Sequence, residues 1–164
     1  MSRTPTGWDI ASPVQAEIFT VWRSGDHLEL TGPCGAAPWL VELGAAEHPV
    51  EVVDRIVRDV VGEPLLVHST SWRRDRGAVI LSFVVVIDGA LVGDMPSVPI
   101  GRAALARSTA TAVPTHIATE AVVEHGLRHM AWLAQDDPVV AATLDDPWRR
   151  LLEPYVPEPF RALG

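Results

Sequence analysis

The chain has 164 residues, 48% of them hydrophobic, which suits one compact domain with a substantial core. Its formal net charge is −8 and all 13 basic residues are arginine, a pattern typical of a high-GC bacterial genome that gives no basic surface for nucleic acid. A single cysteine, Cys34, excludes an internal disulfide, and no apolar stretch is long enough for a signal sequence or a membrane span. We therefore expect a cytoplasmic protein that binds neither nucleic acid nor membrane.

Three strands are predicted at the start of the domain, after an N-terminal arm of residues 1–13. Residues 15–23 alternate apolar and polar side chains, Ser24-Gly25-Asp26 is typical of a turn, and residues 27–31 are expected to pair back as a strand. A third short strand is predicted at residues 39–43. These elements form an opening hairpin and a strand that leads into a loop at Gly44.

The next predicted element is a helix from Val50 to Val61, with Pro49 in its first turn and Gly62 after its end. Its apolar positions 50, 53, 57, 60 and 61 form one stripe that is expected to be buried. Two branched aliphatic side chains, Ile56 and Val60, also share a face with Val52 at a spacing of four residues. The helix is therefore amphipathic, with apolar side chains on more than one face.

This segment carries the frame of a known motif. Glu47, Arg55, Val57 and Gly62 stand at the spacing of the Nudix box, and Asp59 stands at the first Glu of its Glu-Glu pair. The stretch from Val41 to Gly62 thus resembles the Nudix hydrolase superfamily. In that family the helix carboxylates hold Mg²⁺ or Mn²⁺ for diphosphate hydrolysis, and aliphatic side chains cannot replace such oxygen ligands. Because Ile56 and Val60 occupy two of the carboxylate positions, the resemblance implies the fold more than the activity.

The elements after the box agree in order with the resemblance. Strands are predicted at residues 65–72 and 78–87, and the second is apolar enough to be central in a sheet. The arginine-rich stretch between them, Arg73 to Arg76, is interpreted as a solvated hairpin tip. After a loop, a helix is predicted over residues 115–135. The predicted fold class is α/β of the α+β type, a Nudix-like mixed sheet between helices over residues 14–135.

Residues 136–164 are predicted to form a C-terminal extension that packs on this domain. Asp137-Pro138 and Asp146-Pro147 are each typical of an acidic cap with proline at the first helical position, so two short helices are expected. The proline-rich stretch of residues 153–160 is expected to lie extended, with Tyr155 and Phe160 as anchors.

By analogy with the family, a concave apolar site is expected beside the box helix. Its floor and walls are predicted to comprise Val52, Ile56, Val60, Trp39, His68, Trp72 and Phe83. Such a site suits a small organic molecule or an inserted side chain, because nothing in it compensates the charge of a phosphate.

We expect no resident metal or cofactor, with Mg²⁺ or Mn²⁺ only in a hydrolase. For a hydrolase the candidate catalytic residues are Glu47 and Asp59. The side chains with metal-ligand chemistry are Glu47, Glu51, Asp59, His125 and His129, with His116 or Glu120 as a further ligand. Against a metal site, Glu51–Arg55 and Asp54–Arg58 have the spacing of ordinary surface ion pairs.

Three functions remain open from the sequence. The first is a non-catalytic small-molecule-binding or regulatory module that lacks diphosphatase activity. The second is a divergent metal-dependent nucleoside-diphosphate-type hydrolase with relocated ligands. The third is a structural subunit of a homodimer or of a complex with another protein, in which apolar surface and the C-terminal tail form the interface.

Overall fold

The computed structural model of the chain describes residues 12–103 and 117–156. In these two segments six strands form one mixed sheet. The strands are β1 Val14–Ser24, β2 His27–Thr31, β3 Trp39–Leu43, β4 Leu66–Asp75, β5 Ala78–Val86 and β6 Ser97–Pro99. The helices are α1 Pro49–Val60, α2 Thr119–Asp136, α3 Pro138–Thr143 and α4 Asp146–Leu152, and single 3-10 turns occupy Gly89–Leu91 and Glu153–Tyr155.

The long strand β1 organises the sheet, whose order is β4-β5-β1-β2-β6. The first half of β1 pairs antiparallel with β3, its second half pairs antiparallel with β2, and β5 runs parallel to it along the other edge. The hairpin between β1 and β2 turns at Gly25, whose φ of 59° favours glycine. Strand β5 is therefore central, as its apolar sequence predicts, and β4 is an edge strand.

Helices cover both faces of the sheet. On one face, called the α1 side below, Val53 and Val57 of α1 pack against Ile18 of β1 and Phe83 of β5. On the opposite face, the α2 side, α2 packs with α3 and α4 over Phe19 and Val84, together with Leu127, Met130, Leu144, Trp148 and Leu152. The structure confirms the predicted α/β class with a mixed sheet and helices. None of the described helices combines the length and the apolar character that a membrane span requires.

The predicted local elements are confirmed in most places. The opening hairpin, β3, α1 with Pro49 in its first turn, and the antiparallel β4–β5 pair lie where the sequence predicts them. Gly62 follows the end of α1 with a φ of 135°, and its amide donates to the Val57 carbonyl. Chain segments with strong local signals therefore form the expected structure.

The buried stripe of α1 differs from the prediction. Val52, Val53 and Val57 are buried, whereas Val50 and Val60 are exposed, with 49% of Val60 accessible to solvent. The reason is the orientation of the helix on the sheet. Residues 52, 53, 56 and 57 form the helix face that is directed at the sheet, so residues 50 and 60 lie at the edges of this face.

Other boundaries also need correction. Helix α2 begins at Thr119, while residues 115 and 116 of the predicted helix lie outside the described residues. The stretch after Gly89, predicted to be a loop, contains a 3-10 turn and the short strand β6, which pairs with β2. Such a short strand depends on its partner and has little sequence signal of its own.

The C-terminal prediction is partly wrong in detail. Asp137 caps α3 as predicted, but α4 is capped by Asp145, whose carboxylate accepts from the Trp148 amide, and Asp146 is its first residue. The chain then forms a 3-10 turn at Glu153–Tyr155, so it is not extended there. Pro154 is compatible with this turn because it lies in the first helical positions, where proline is tolerated. Tyr155 is buried as predicted, whereas Phe160 lies outside the described residues.

Candidate functional site

The loop before α1 is held by the carboxylate of Glu47. Its Oε2 accepts a hydrogen bond from the Gly44 amide at 2.8 Å, and its Oε1 lies 3.5 Å from Nη2 of Arg55. The Gly44 amide, followed by Arg55, holds the pKa of Glu47 below its ordinary value, so the side chain stays a carboxylate. Glu47 and Arg55 therefore fasten the loop to the helix.

The other acidic side chains of α1 face solvent or arginine. Arg58 donates to Asp54 through Nε at 2.6 Å and also contacts Glu63. The predicted Asp54–Arg58 pair is thus present, whereas Arg55 contacts Glu47 in place of Glu51. Glu51 and Asp59 are exposed. In residues 12–103 and 117–156, no three His, Cys, Asp or Glu side chains are grouped as metal ligands would be.

The predicted apolar site is not one continuous surface. Val52 is buried and Phe83 is a core residue only 1% exposed, so neither lines an open cleft. Ile56 and Trp39 are half-buried and pack against the α1-side core, whereas Val60 is exposed. The accessible part of the predicted floor is therefore confined to Ile56 and Val60.

A β-bulge in β4 separates two of the predicted wall residues. The register shifts between Ser69 and Ser71, so that His68 pairs with Val84 whereas Trp72 pairs with Leu81. Val84 belongs to the α2-side core, and Leu81 packs against the α1-side core. Trp72 is consequently on the α1 side and 67% exposed, while His68 is on the α2 side. The predicted alignment of the two side chains on one face is wrong, because a bulge reverses the alternation.

On the α2 side, His68 meets the histidines of α2. Its Nε2 lies 3.0 Å from Nδ1 of His129, and the two ring centroids are 4.8 Å apart. The ring of His129 also stacks on His125 at 6.5 Å and on Trp132 at 5.8 Å. The sequence indicates the His125–His129 spacing but not the contact with His68, which is 61 residues away in the chain.

Burial lowers the pKa of both paired histidines. For His68 the burial effect is reinforced by His129 and opposed by Asp137, and for His129 it is reinforced by His125. Both imidazoles are therefore favoured in the neutral form at neutral pH, which is the form that accepts a hydrogen bond or a metal ion.

Two buried carboxylates form networks that the sequence does not reveal. Glu17 of β1 accepts from Arg73 and from the Ser82 hydroxyl, so Arg73 is not the solvated hairpin-tip residue that we predict from its neighbours. Glu124 of α2 accepts from Arg102, Arg128 and the Ala103 amide. Both carboxylates are satisfied by neighbouring donors, which indicates a structural role for each.

Three cavities are associated with the helices of the α2 side. Their volumes are about 240, 190 and 220 Å³, and their linings include Gln135, Thr119 and Thr143 respectively. These volumes are below the roughly 300–1,000 Å³ of ordinary small-molecule pockets. A ligand of drug-like size would therefore lie on the surface rather than fill any of these three cavities.

The sequence matches no model of a known protein family, and a search among curated proteins finds no significant match.

Proposed function

We propose that this chain is a Nudix-like binding or regulatory module without diphosphatase activity. The observation that carries the proposal is the chemistry of α1 at two positions where the box has carboxylates. Ile56 packs against the α1-side core and Val60 lies half-exposed beside it. Side chains of this kind offer no oxygen to Mg²⁺ or Mn²⁺.

The same segment retains the parts of the box that build the fold. Glu47 links the Gly44 amide to Arg55. Gly62 has a positive φ and lies so close to Leu91 that a Cβ atom at position 62 would be 3.0 Å from its Cδ2. A mixed sheet between helices, with a strand pair directly after the box helix, agrees with the architecture that the resemblance implies. The chain thus keeps the residues that stabilise the loop and the helix end, and it has aliphatic side chains at metal-binding positions. This combination supports a binding role for the fold.

The ligand that suits this face is a small, largely apolar molecule or an inserted side chain of a protein partner. Ile56, Val60 and the exposed indole of Trp72 supply apolar contact area on the α1 side. Asp59 is exposed on the same helix, and a phosphate near it would meet negative charge. A diphosphate is therefore not the preferred ligand of this face.

Turnover decides first between a binding module and a divergent hydrolase. A panel of nucleoside diphosphates and their conjugates is incubated with the full chain, Mg²⁺ and Mn²⁺, alongside Asp59→Asn and the matched exposed control Asp94→Asn. We expect no turnover above the blank in any of the three proteins. Turnover in the wild type and in Asp94→Asn that is lost in Asp59→Asn would overturn the proposal in favour of a hydrolase with relocated ligands.

Binding of a fragment library to the wild type, Val60→Glu and Val50→Glu is measured by ligand-observed NMR. We expect apolar fragments to bind the wild type. Val60→Glu should weaken this binding at least about tenfold, because a bound fragment would cover the carboxylate and leave it without a partner, at a cost of more than about 1.4 kcal/mol. Val50→Glu, at the other end of α1, serves as the control. Equal fragment binding by the wild type and Val60→Glu would place the ligand elsewhere, and absence of any fragment binding would favour the structural-subunit alternative.

A further inference from the structure

The contact between His68 and His129 joins an edge strand to a helix at one defined point. It forms because α2 lies unusually close to the sheet where Gly126 faces Val84: a Cβ atom at Gly126 would be only 2.5 Å from Val84 Cγ2. His129 is one turn further along α2 on the same face, and His68 is the strand neighbour of Val84. Two imidazoles from distant parts of the chain are thereby held ring to ring.

The two nitrogens are separated as two ligands of one metal ion would be. Metal–imidazole bonds are about 2.0–2.1 Å long, which places two neighbouring ligand nitrogens roughly 2.9–3.4 Å apart in square-planar or tetrahedral geometry. The observed distance between Nε2 of His68 and Nδ1 of His129 is 3.0 Å. In the metal-free protein one ring carries the proton between them. A bound ion would lie to one side of the line between the two nitrogens, and that ring would carry its proton on its other nitrogen, so that both rings remain neutral.

We propose that His68 Nε2 and His129 Nδ1 form a two-histidine site for a borderline divalent cation of the Cu²⁺, Ni²⁺ or Zn²⁺ class. Imidazole nitrogen is the ligand that these ions prefer, whereas Mg²⁺ and Ca²⁺ prefer oxygen. The site lies on the α2 side of the sheet, so it is independent of the proposed role of the α1 side.

The remaining coordination positions of the ion belong to water or to an external ligand. His125 stacks on His129 with ring centroids 6.5 Å apart and an interplanar angle of 23°. In the part of the chain described here no third His, Cys, Asp or Glu completes the group. An ion held by two protein ligands exchanges readily, which distinguishes this site from a closed structural zinc site.

Calorimetric titration of the full, chelator-treated chain with Cu²⁺, Ni²⁺ and Zn²⁺ at pH 7.5 tests the proposal. We expect one ion per chain with saturable binding, and each of His68→Gln and His129→Gln to weaken it at least about tenfold. His27→Gln and His48→Gln, which alter exposed histidines elsewhere, are expected to leave the affinity unchanged. Thermal unfolding of each variant establishes that it is folded.

A second readout uses the indole of Trp132, which stacks on His129 at 5.8 Å. Cu²⁺ and Ni²⁺ are expected to quench its fluorescence with the same midpoint as the calorimetric titration, and Trp132→Phe to remove this component from the signal of the six tryptophans. Two outcomes would overturn the proposal: no saturable binding, or binding that is unaffected by His68→Gln. In the second case, loss of binding in His125→Gln would place the ion on the helix alone.

Discussion

At the scale of single residues, Glu124 of α2 is a charged side chain whose burial requires hydrogen-bond partners. Its carboxylate is fully buried, and it receives hydrogen bonds from Arg102, Arg128 and the Ala103 amide. Arg102 in turn lies over the ring of Tyr155 at 4.4 Å and donates to the Pro154 carbonyl. One carboxylate therefore connects α2, the segment after β6 and the C-terminal 3-10 turn.

Glu124→Gln should destabilise the protein by about 1–3 kcal/mol at pH 7, because the partly exposed Arg102 and Arg128 lose the buried carboxylate that accepts their hydrogen bonds. Urea denaturation measures the loss, and Glu120→Gln on the exposed face of the same helix should change stability by less than about 0.5 kcal/mol. Equal stability of both variants would contradict a stabilising role for the network.

The pH dependence of this contribution has a definite sign. Burial alone would raise the pKa of Glu124, but the hydrogen bonds from Arg102 and Arg128 outweigh burial and leave the pKa lowered. A depressed carboxylate pKa stabilises the fold above the unfolded-state pKa of about 4.3, and this stabilisation is lost as the pH falls through the folded-state pKa. The stability difference between wild type and Glu124→Gln should therefore shrink in acid.

At the scale of elements, the crossing of α2 over β5 depends on one glycine. Gly126 has no side chain where Val84 of β5 and Thr70 of β4 approach the helix. Glycine lowers helix stability in an interior position, so its presence in the middle of α2 has to be explained by packing. The close approach also brings His129 within reach of His68.

Gly126→Ala should lower the free energy of unfolding by about 1–3 kcal/mol, since the cost of overpacking exceeds the gain of roughly 1 kcal/mol in helix propensity. In the double variant Gly126→Ala/Val84→Ala, the loss should be smaller than the sum of the single losses, because the clashing methyl is gone. Thermal and urea unfolding of the four proteins measure this coupling. If Gly126→Ala were more stable than the wild type, α2 would be able to move away from the sheet at no cost.

At the scale of the whole molecule, the C-terminal helices are part of the core rather than a separate layer on it. Leu144 is completely buried, and Trp148, Leu152 and Tyr155 share one cluster with Phe19 of β1 and Leu127 of α2. We therefore expect the described segments to unfold together in one cooperative transition.

Leu144→Ala should cost about 2–5 kcal/mol and shift the entire transition, as a buried leucine does when it leaves a cavity. Val139→Ala on the exposed side of α3 is the matched control and should be nearly neutral. Unfolding is followed by circular dichroism and by tryptophan fluorescence. Two separate transitions in Leu144→Ala would indicate instead that the C-terminal helices melt independently.

The sequence by itself determined the elements whose signals are local. Four features follow from residues within a few positions of each: the turn at Gly25, the central strand β5, the limits of α1 between Pro49 and Gly62, and the cap of α3 at Asp137.

Only the tertiary structure decided which side chains share a site. The bulge at Ser69–Ser71 placed His68 and Trp72 on opposite faces, the register of β1, β4 and β5 joined Arg73 to Glu17, and the crossing of α2 joined His129 to His68. These pairs are separated by 56 and 61 residues. Local propensity carries no information on contacts at such separations, because they depend on strand register and helix position, which the packing of the whole core sets.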